Sequence, residues 1–117
     1  MKLEERQKEL IRNALKDYRY IRTEINYLIE KGRTLSEIYD YLRHINAIEF
    51  TNLDFDFDVF KYIDFIYYDI SASVIKDDRG LRVQSTLQIY DKEKCNYIIE
   101  DYLTEKEWET ILEKGEF

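Results

Sequence analysis

Over residues 2–31 the apolar residues Ile11, Ala14, Tyr18, Ile21, Ile25 and Leu28 recur at alternating three- and four-residue intervals. That spacing predicts one long amphipathic helix with a heptad-like seam. Gly32 stands where a helix end favours a left-handed residue, and Thr34-Leu35-Ser36-Glu37 has the form of a capping box. A second helix then runs through Leu35, Ile38, Leu42 and Ile45, so the chain opens with a helical hairpin. A 2–31 helix would be about 45 Å long, against a radius of gyration near 13 Å for a domain of about this size. An overhanging end, or a homodimer pairing through this helix, is therefore expected.

After residue 60 the period changes to two. Ile66, Tyr68, Ile70, Ala72 and Val74 alternate with Tyr67, Asp69, Ser71 and Ser73, which reads as a strand with Tyr68 in the core. Lys76-Asp77-Asp78-Arg79-Gly80 reads as a turn, and Leu81, Val83, Ser85, Leu87 and Ile89 alternate beyond it, completing a hairpin over 66–89. Asp91-Lys92-Glu93-Lys94 is a further turn, 95–103 reads as a third strand, and 53–58 as a possible fourth. Thr104-Glu105-Lys106-Glu107 is another capping box, opening a short helix that turns Trp108, Ile111 and Leu112 inward and ends at Gly115. The expected fold is α+β: a helical hairpin, an antiparallel sheet of three or four strands and a short C-terminal helix, in a single domain over 1–117.

Composition bounds this picture. The 117 residues, 44% hydrophobic and 15% aromatic, suffice for one core. Cys95 is the only cysteine, so no internal disulfide can form, and no run approaches the roughly 18 apolar residues of a membrane span. The charged start leads into no signal-peptide core, so a cytoplasmic location is expected. Pro is absent, Gly is scarce, and Ile, Lys, Tyr, Phe and Glu are abundant. Such usage suits an AT-rich coding genome, as of a low-GC bacterium or its phage.

The net charge of −7 is uneven: residues 1–33 carry +3, residues 34–75 carry −6 and residues 76–117 carry −4. The centre of the acidic segment is Asp54-Phe55-Asp56-Phe57-Asp58, and no Lys or Arg lies between Arg43 and Lys61. At strand geometry the three carboxylates share one face about 6.6 Å apart, with both rings on the other. In the plainest reading this is an edge strand with solvated charges. In the functional reading Asp54, Asp56 and Asp58, with Asp64, Asp69 and Glu49, present a negative surface to a basic groove. DNA carries a charge about every 3.4 Å along each strand, so the match to a nucleic-acid backbone is loose. On the first helix Lys8, Arg12, Lys16, Arg19 and Arg22 fall within an arc of about 120°. That stripe is either solvated and internally paired or, through Arg12 and Arg19, a contact for an acidic partner. Tyr20 and Tyr27, one heptad apart opposite the seam, are candidate interface anchors.

Catalytic and metal signatures are missing. An EF-hand loop from Asp54 would need Gly and Glu where Val59 and Phe65 stand. His44 and Cys95 are single, and no phosphate-binding, dinucleotide-binding, nucleophile-elbow or zinc-protease motif occurs. The chain is expected to be non-enzymatic and without cofactor. In size, charge and composition it resembles the small acidic inhibitors that phages and mobile elements direct against restriction, CRISPR or transcription machinery. The expected partner is thus a larger basic or nucleic-acid-binding protein. The alternative is a winged-helix-like DNA-binding regulator, with 34–45 opening a helix-turn-helix and 66–89 as its wing. The 46–60 segment, which would have to supply the recognition helix, contains no Lys or Arg.

Overall fold

The computed structural model describes residues 1–55 and 61–117. Helix α1 spans Glu5–Glu30, and α2 spans Leu35–Leu42 behind the Thr34–Glu37 capping box. The strands are β1 (Ile48–Asp54), β2 (Lys61–Tyr67), β3 (Ile70–Asp77), β4 (Gly80–Val83), β5 (Thr86–Asp91), β6 (Asn96–Tyr97) and β7 (Leu103–Thr104). Helix α3, Glu105–Lys114, opens on a second capping box and closes on left-handed Gly115. This is the α+β order expected from the hydrophobic pattern.

The sheet is antiparallel and runs β1-β2-β3-β5-β6, with β4 beside β3 and β7 beside β5. On the edge away from β2, β3 serves two partners because the chain opposite it breaks at Gln84 and Ser85. Its far half pairs with β4, Val74 opposite Val83, and its near half with β5, Ile70 opposite Ile89. The Gln84 N–H still donates to the Ser73 carbonyl, 2.8 Å away, so the ladder continues through the break.

Two strand expectations need correction. The pattern over 66–74 is not one strand: β2 ends at Tyr67, Tyr68-Asp69 forms a two-residue turn, and β3 starts at Ile70 opposite Tyr67. The inward face is therefore Ile63, Phe65 and Tyr67, then Ile70, Ala72 and Val74, all buried. Tyr68 is 50% exposed rather than in the core. The turn escaped notice because Tyr68 takes φ +54°, a conformation usually signalled by Gly or Asn. The 95–103 strand is likewise two short pairings, β6 against β5 and β7 against β5, with the chain bending between them.

The seam of α1 is used within the chain. Ile11, Ala14, Tyr18, Ile21 and Ile25 are fully buried in one cluster with Ile63, Phe65, Val74, Leu87 and Ile89. The Tyr18 hydroxyl donates to the Gln84 carbonyl at 2.7 Å, and the Trp108 indole of α3 donates to the Leu87 carbonyl at 3.0 Å. At 26 residues α1 is about 39 Å long, and the molecule extends 43 × 27 × 23 Å. The helix is thus no longer than the molecule's long dimension, and its seam from Ile11 to Ile25 is occupied within the chain.

An ionic clip holds the start of α1 to the β5–β6 turn. Asp91, fully buried, receives both terminal nitrogens of the Arg6 guanidinium at 2.9 Å and the Gln7 side-chain amide at 3.1 Å. Its carboxylate also accepts the Glu93 and Lys94 backbone N–H groups, closing the turn.

Candidate binding face

With the helices packed on the Ile63/Phe65/Ile89 side, strand alternation sends the remaining side chains to the opposite face. The register sets Asp54 opposite Tyr62, Asn52 opposite Asp64, and Glu49 opposite Ile66. Across β2 and β3 it sets Tyr62 opposite Ile75, Asp64 opposite Ser73, and Ile66 opposite Ser71. Tyr90 and Tyr97 pair at the far edge. Segment 98–102 folds over part of this face: the Gln88 amide donates to the Glu100 carbonyl at 2.5 Å. Burial, with Asp64 nearby, pushes the Tyr102 phenol above its ordinary pKa.

Among the described residues, two recesses lie on the exposed remainder. One, of about 330 Å³, is lined by Tyr62, Asp64, Ile75, Asp77, Arg82 and Gln84. There the Ser73 hydroxyl donates to Asp64 at 2.6 Å. Arg82 donates to both oxygens of Asp77, at 2.7 and 2.9 Å, and holds that carboxyl down at about 2. The other recess, of about 500 Å³, lies between the β2–β3 turn and β6, with Glu49, Ile66, Tyr68, Tyr90, Lys92 and Tyr97 among its lining residues.

Of the expected acidic contacts, Asp54 and Asp64 share this face. Asp69 lies in the β2–β3 turn, where Lys92 Nζ approaches it at 3.5 Å. Burial and then the charge of Asp69 raise the carboxyl pKa of Asp17 on α1. Asp56 and Asp58 lie outside the described residues, as does Phe57. Phe55 follows the expected arrangement in part: its ring meets Tyr39 of α2 edge-on at 5.7 Å, on the side away from Asp54.

The C-terminal part of the basic stripe of α1, Arg19 and Arg22, pairs with α3. Arg19 Nε meets Glu105 at 2.6 Å, its guanidinium also reaches Glu109, and Arg22 binds Glu105 as well. Burial opposes ionisation of Glu105, yet the two arginines hold its carboxyl below the ordinary range. Arg12 and Lys8 pair locally with Glu9 and Glu5 at 3.2 and 3.0 Å.

The two tyrosines proposed as anchors differ in setting. Tyr20, 54% exposed, stacks on Tyr67 at 6.4 Å, and Tyr67 in turn meets Tyr68 at 4.7 Å. This row of rings leads from α1 around the sheet end to the larger recess. Tyr27, 57% exposed, stands apart with Lys31 Nζ 5.4 Å from its ring centre.

His44 is exposed in the α2–β1 connection, and Cys95 in the β5–β6 turn. Among the described residues no group of three or more His, Cys, Asp and Glu side chains could hold a metal ion, and no helix is long and apolar enough to cross a membrane. The larger recess was not visible in the sequence, because Tyr68, Tyr90 and Tyr97 meet only through the unexpected turn and the β5–β6 pairing. No protein-family model matches the chain, and no curated protein and no solved structure is detectably similar to it.

Proposed function

We propose that this protein is a non-catalytic binding module whose acidic outer sheet face occupies a basic surface on a larger protein. A nucleic-acid-binding groove is the fitting target, which makes the protein an inhibitor of a nucleic-acid-handling machine of the kind phages and mobile elements carry, acting in the bacterial cytoplasm. The supporting observation is a division of charge. Glu49, Asp54, Asp64 and Asp77 share the face without helices, while Arg12, Arg19 and Arg22 of α1 are engaged by Glu9, Glu105 and Glu109. Carboxylates outnumber cations on this face, where Arg82 is committed to Asp77 and Lys92 to Asp69, and such an excess, rimmed by tyrosines, suits salt-sensitive association with a cationic partner.

The regulator reading has less support. After α2 the chain enters β1, where a winged helix would place its recognition helix. Arg19 and Arg22 of the basic stripe are also already engaged by α3.

Affinity capture from nuclease-treated host extract tests the proposal, with the parent beside a Glu49→Gln/Asp54→Asn/Asp64→Asn variant. A basic nucleic-acid-handling protein should be retained by the parent and lost by the variant. Equal recovery on both would remove this face from the binding surface.

A further inference from the structure

The larger recess differs chemically from the rest of the outer face. Tyr90 and Tyr97 meet edge-to-face, centroids 5.1 Å apart and planes at 74°, giving two walls nearly at right angles. Tyr68 supplies a third ring and Ile66 an apolar base. Two charges stand at this recess. Lys92 is 71% exposed and is paired with Asp69. Glu49 is exposed, and among the described residues its carboxylate has no hydrogen bond or ion pair. The site therefore combines ring faces, which carry negative potential, with one uncommitted carboxylate. That combination suits a cation and disfavours an anion.

The backbone holds this arrangement at some cost. Ala47 and Tyr68, both lining the recess, adopt left-handed φ values of +72° and +54°, and the Tyr68 N–H donates to the Ala47 carbonyl at 3.3 Å. Side chains with a Cβ avoid that region, and such departures gather at binding sites.

We propose that this recess is a subsite for one arginine side chain of the basic partner. This rests on the acidic-face reading and narrows it. A guanidinium is flat, so it can lie on one tyrosine ring while its edge donates two parallel hydrogen bonds to the Glu49 carboxylate. An ammonium has neither the plane nor the fork, so lysine binds more weakly. Because the recess is open, the arginine enters from solvent without any change in the sheet.

The test is an NMR titration of the full chain with N-acetyl-arginine-N-methylamide, reading the tyrosine ring signals, beside the neutral citrulline analogue. Saturable shifts confined to Tyr68, Tyr90 and Tyr97, absent with citrulline, are expected. Glu49→Gln should weaken binding about fivefold to tenfold, and Tyr97→Leu about threefold to tenfold. Equal shifts with citrulline, shifts spread over other tyrosines, or indifference to Glu49→Gln would overturn the subsite. An arginine-rich peptide titrated into the same proteins separates the two claims. If it binds parent and Glu49→Gln/Tyr97→Leu alike but fails on the Asp54→Asn/Asp64→Asn variant, the subsite is wrong and the acidic face stands. If it fails on the parent, both are wrong.

Discussion

Removing the charge at Asp91 tests how the fold holds the wall of the larger recess. The carboxylate is fully buried, and five donors converge on it: two from Arg6, one from Gln7 and the backbone N–H groups of Glu93 and Lys94. Asp91→Asn keeps the shape but replaces one acceptor oxygen with an amide that faces the guanidinium. Charge-assisted hydrogen bonds contribute about 1.5–3 kcal/mol each. The Arg6 side chain remains 36% exposed and regains some hydration when released. The net cost should therefore be about 2 kcal/mol, and Asp91→Ala, which also strands the Gln7 amide, should cost about 3 kcal/mol. For a domain of this size, 2 kcal/mol corresponds to about 8 °C in Tm.

The pH dependence carries a distinct signature. The Arg6 hydrogen bonds, then Gln7 and the Lys94 N–H, hold the Asp91 carboxyl down to about 2 against the opposing effect of burial, where the ordinary value is 3.8. On acidification the unfolded chain takes up this proton before the folded one. The stabilisation from Asp91 is therefore complete above the ordinary carboxylate value and drains away as pH falls from there through about 2. Urea melts of parent and Asp91→Asn between neutral and acid pH should show a gap that is widest at pH 7 and closes below about pH 4. A gap below about 0.5 kcal/mol at pH 7, or one that widens in acid, would refute the reasoning.

Ala47→Gly removes a methyl group at φ +72°. Relief of about 1–2 kcal/mol of left-handed strain should exceed the added flexibility of the unfolded chain, for a net gain of about 0.5–1 kcal/mol. An unchanged or lower urea midpoint would mean that the loop is unstrained. Glu105→Gln/Glu109→Gln should release Arg19 and Arg22 at a stability cost below about 1 kcal/mol, and elution from heparin should move to higher salt. Unchanged elution would show that α3 does not mask the stripe.

The local signals in the sequence correspond to the parts of the fold that local chemistry determines. The 3-4 spacing of Ile11 to Leu28 located α1, because one buried stripe is enough to fix a helix. Thr34 and Thr104 marked the starts of α2 and α3, since a capping box is complete within four residues. The sheet edges were harder to read because they depend on pairing between distant segments. Tyr68-Asp69 turns the chain without Gly or Asn, so alternation ran through it and inverted the phase of 66–68. The split of 95–103 follows from β5, which takes β6 at one end and β7 at the other. Asp54 and Asp64 were singled out by charge alone, and the register placed them on one face. Glu49 drew notice for its charge, but its sharing one recess with Tyr90 and Tyr97 depends on the strand order β1-β2-β3-β5-β6.

The account's central claim is that the binding surface is the acidic outer face and not the overall negative charge. Two variants of equal net charge separate these most directly: Glu49→Gln/Asp54→Asn/Asp64→Asn, and Glu30→Gln/Glu113→Gln/Glu116→Gln, which removes three exposed carboxylates elsewhere. Calorimetric titration with an arginine-rich peptide at low and at physiological salt should show binding lost in the first variant and kept in the second, weaker at the higher salt. Equal loss in both would contradict the claim.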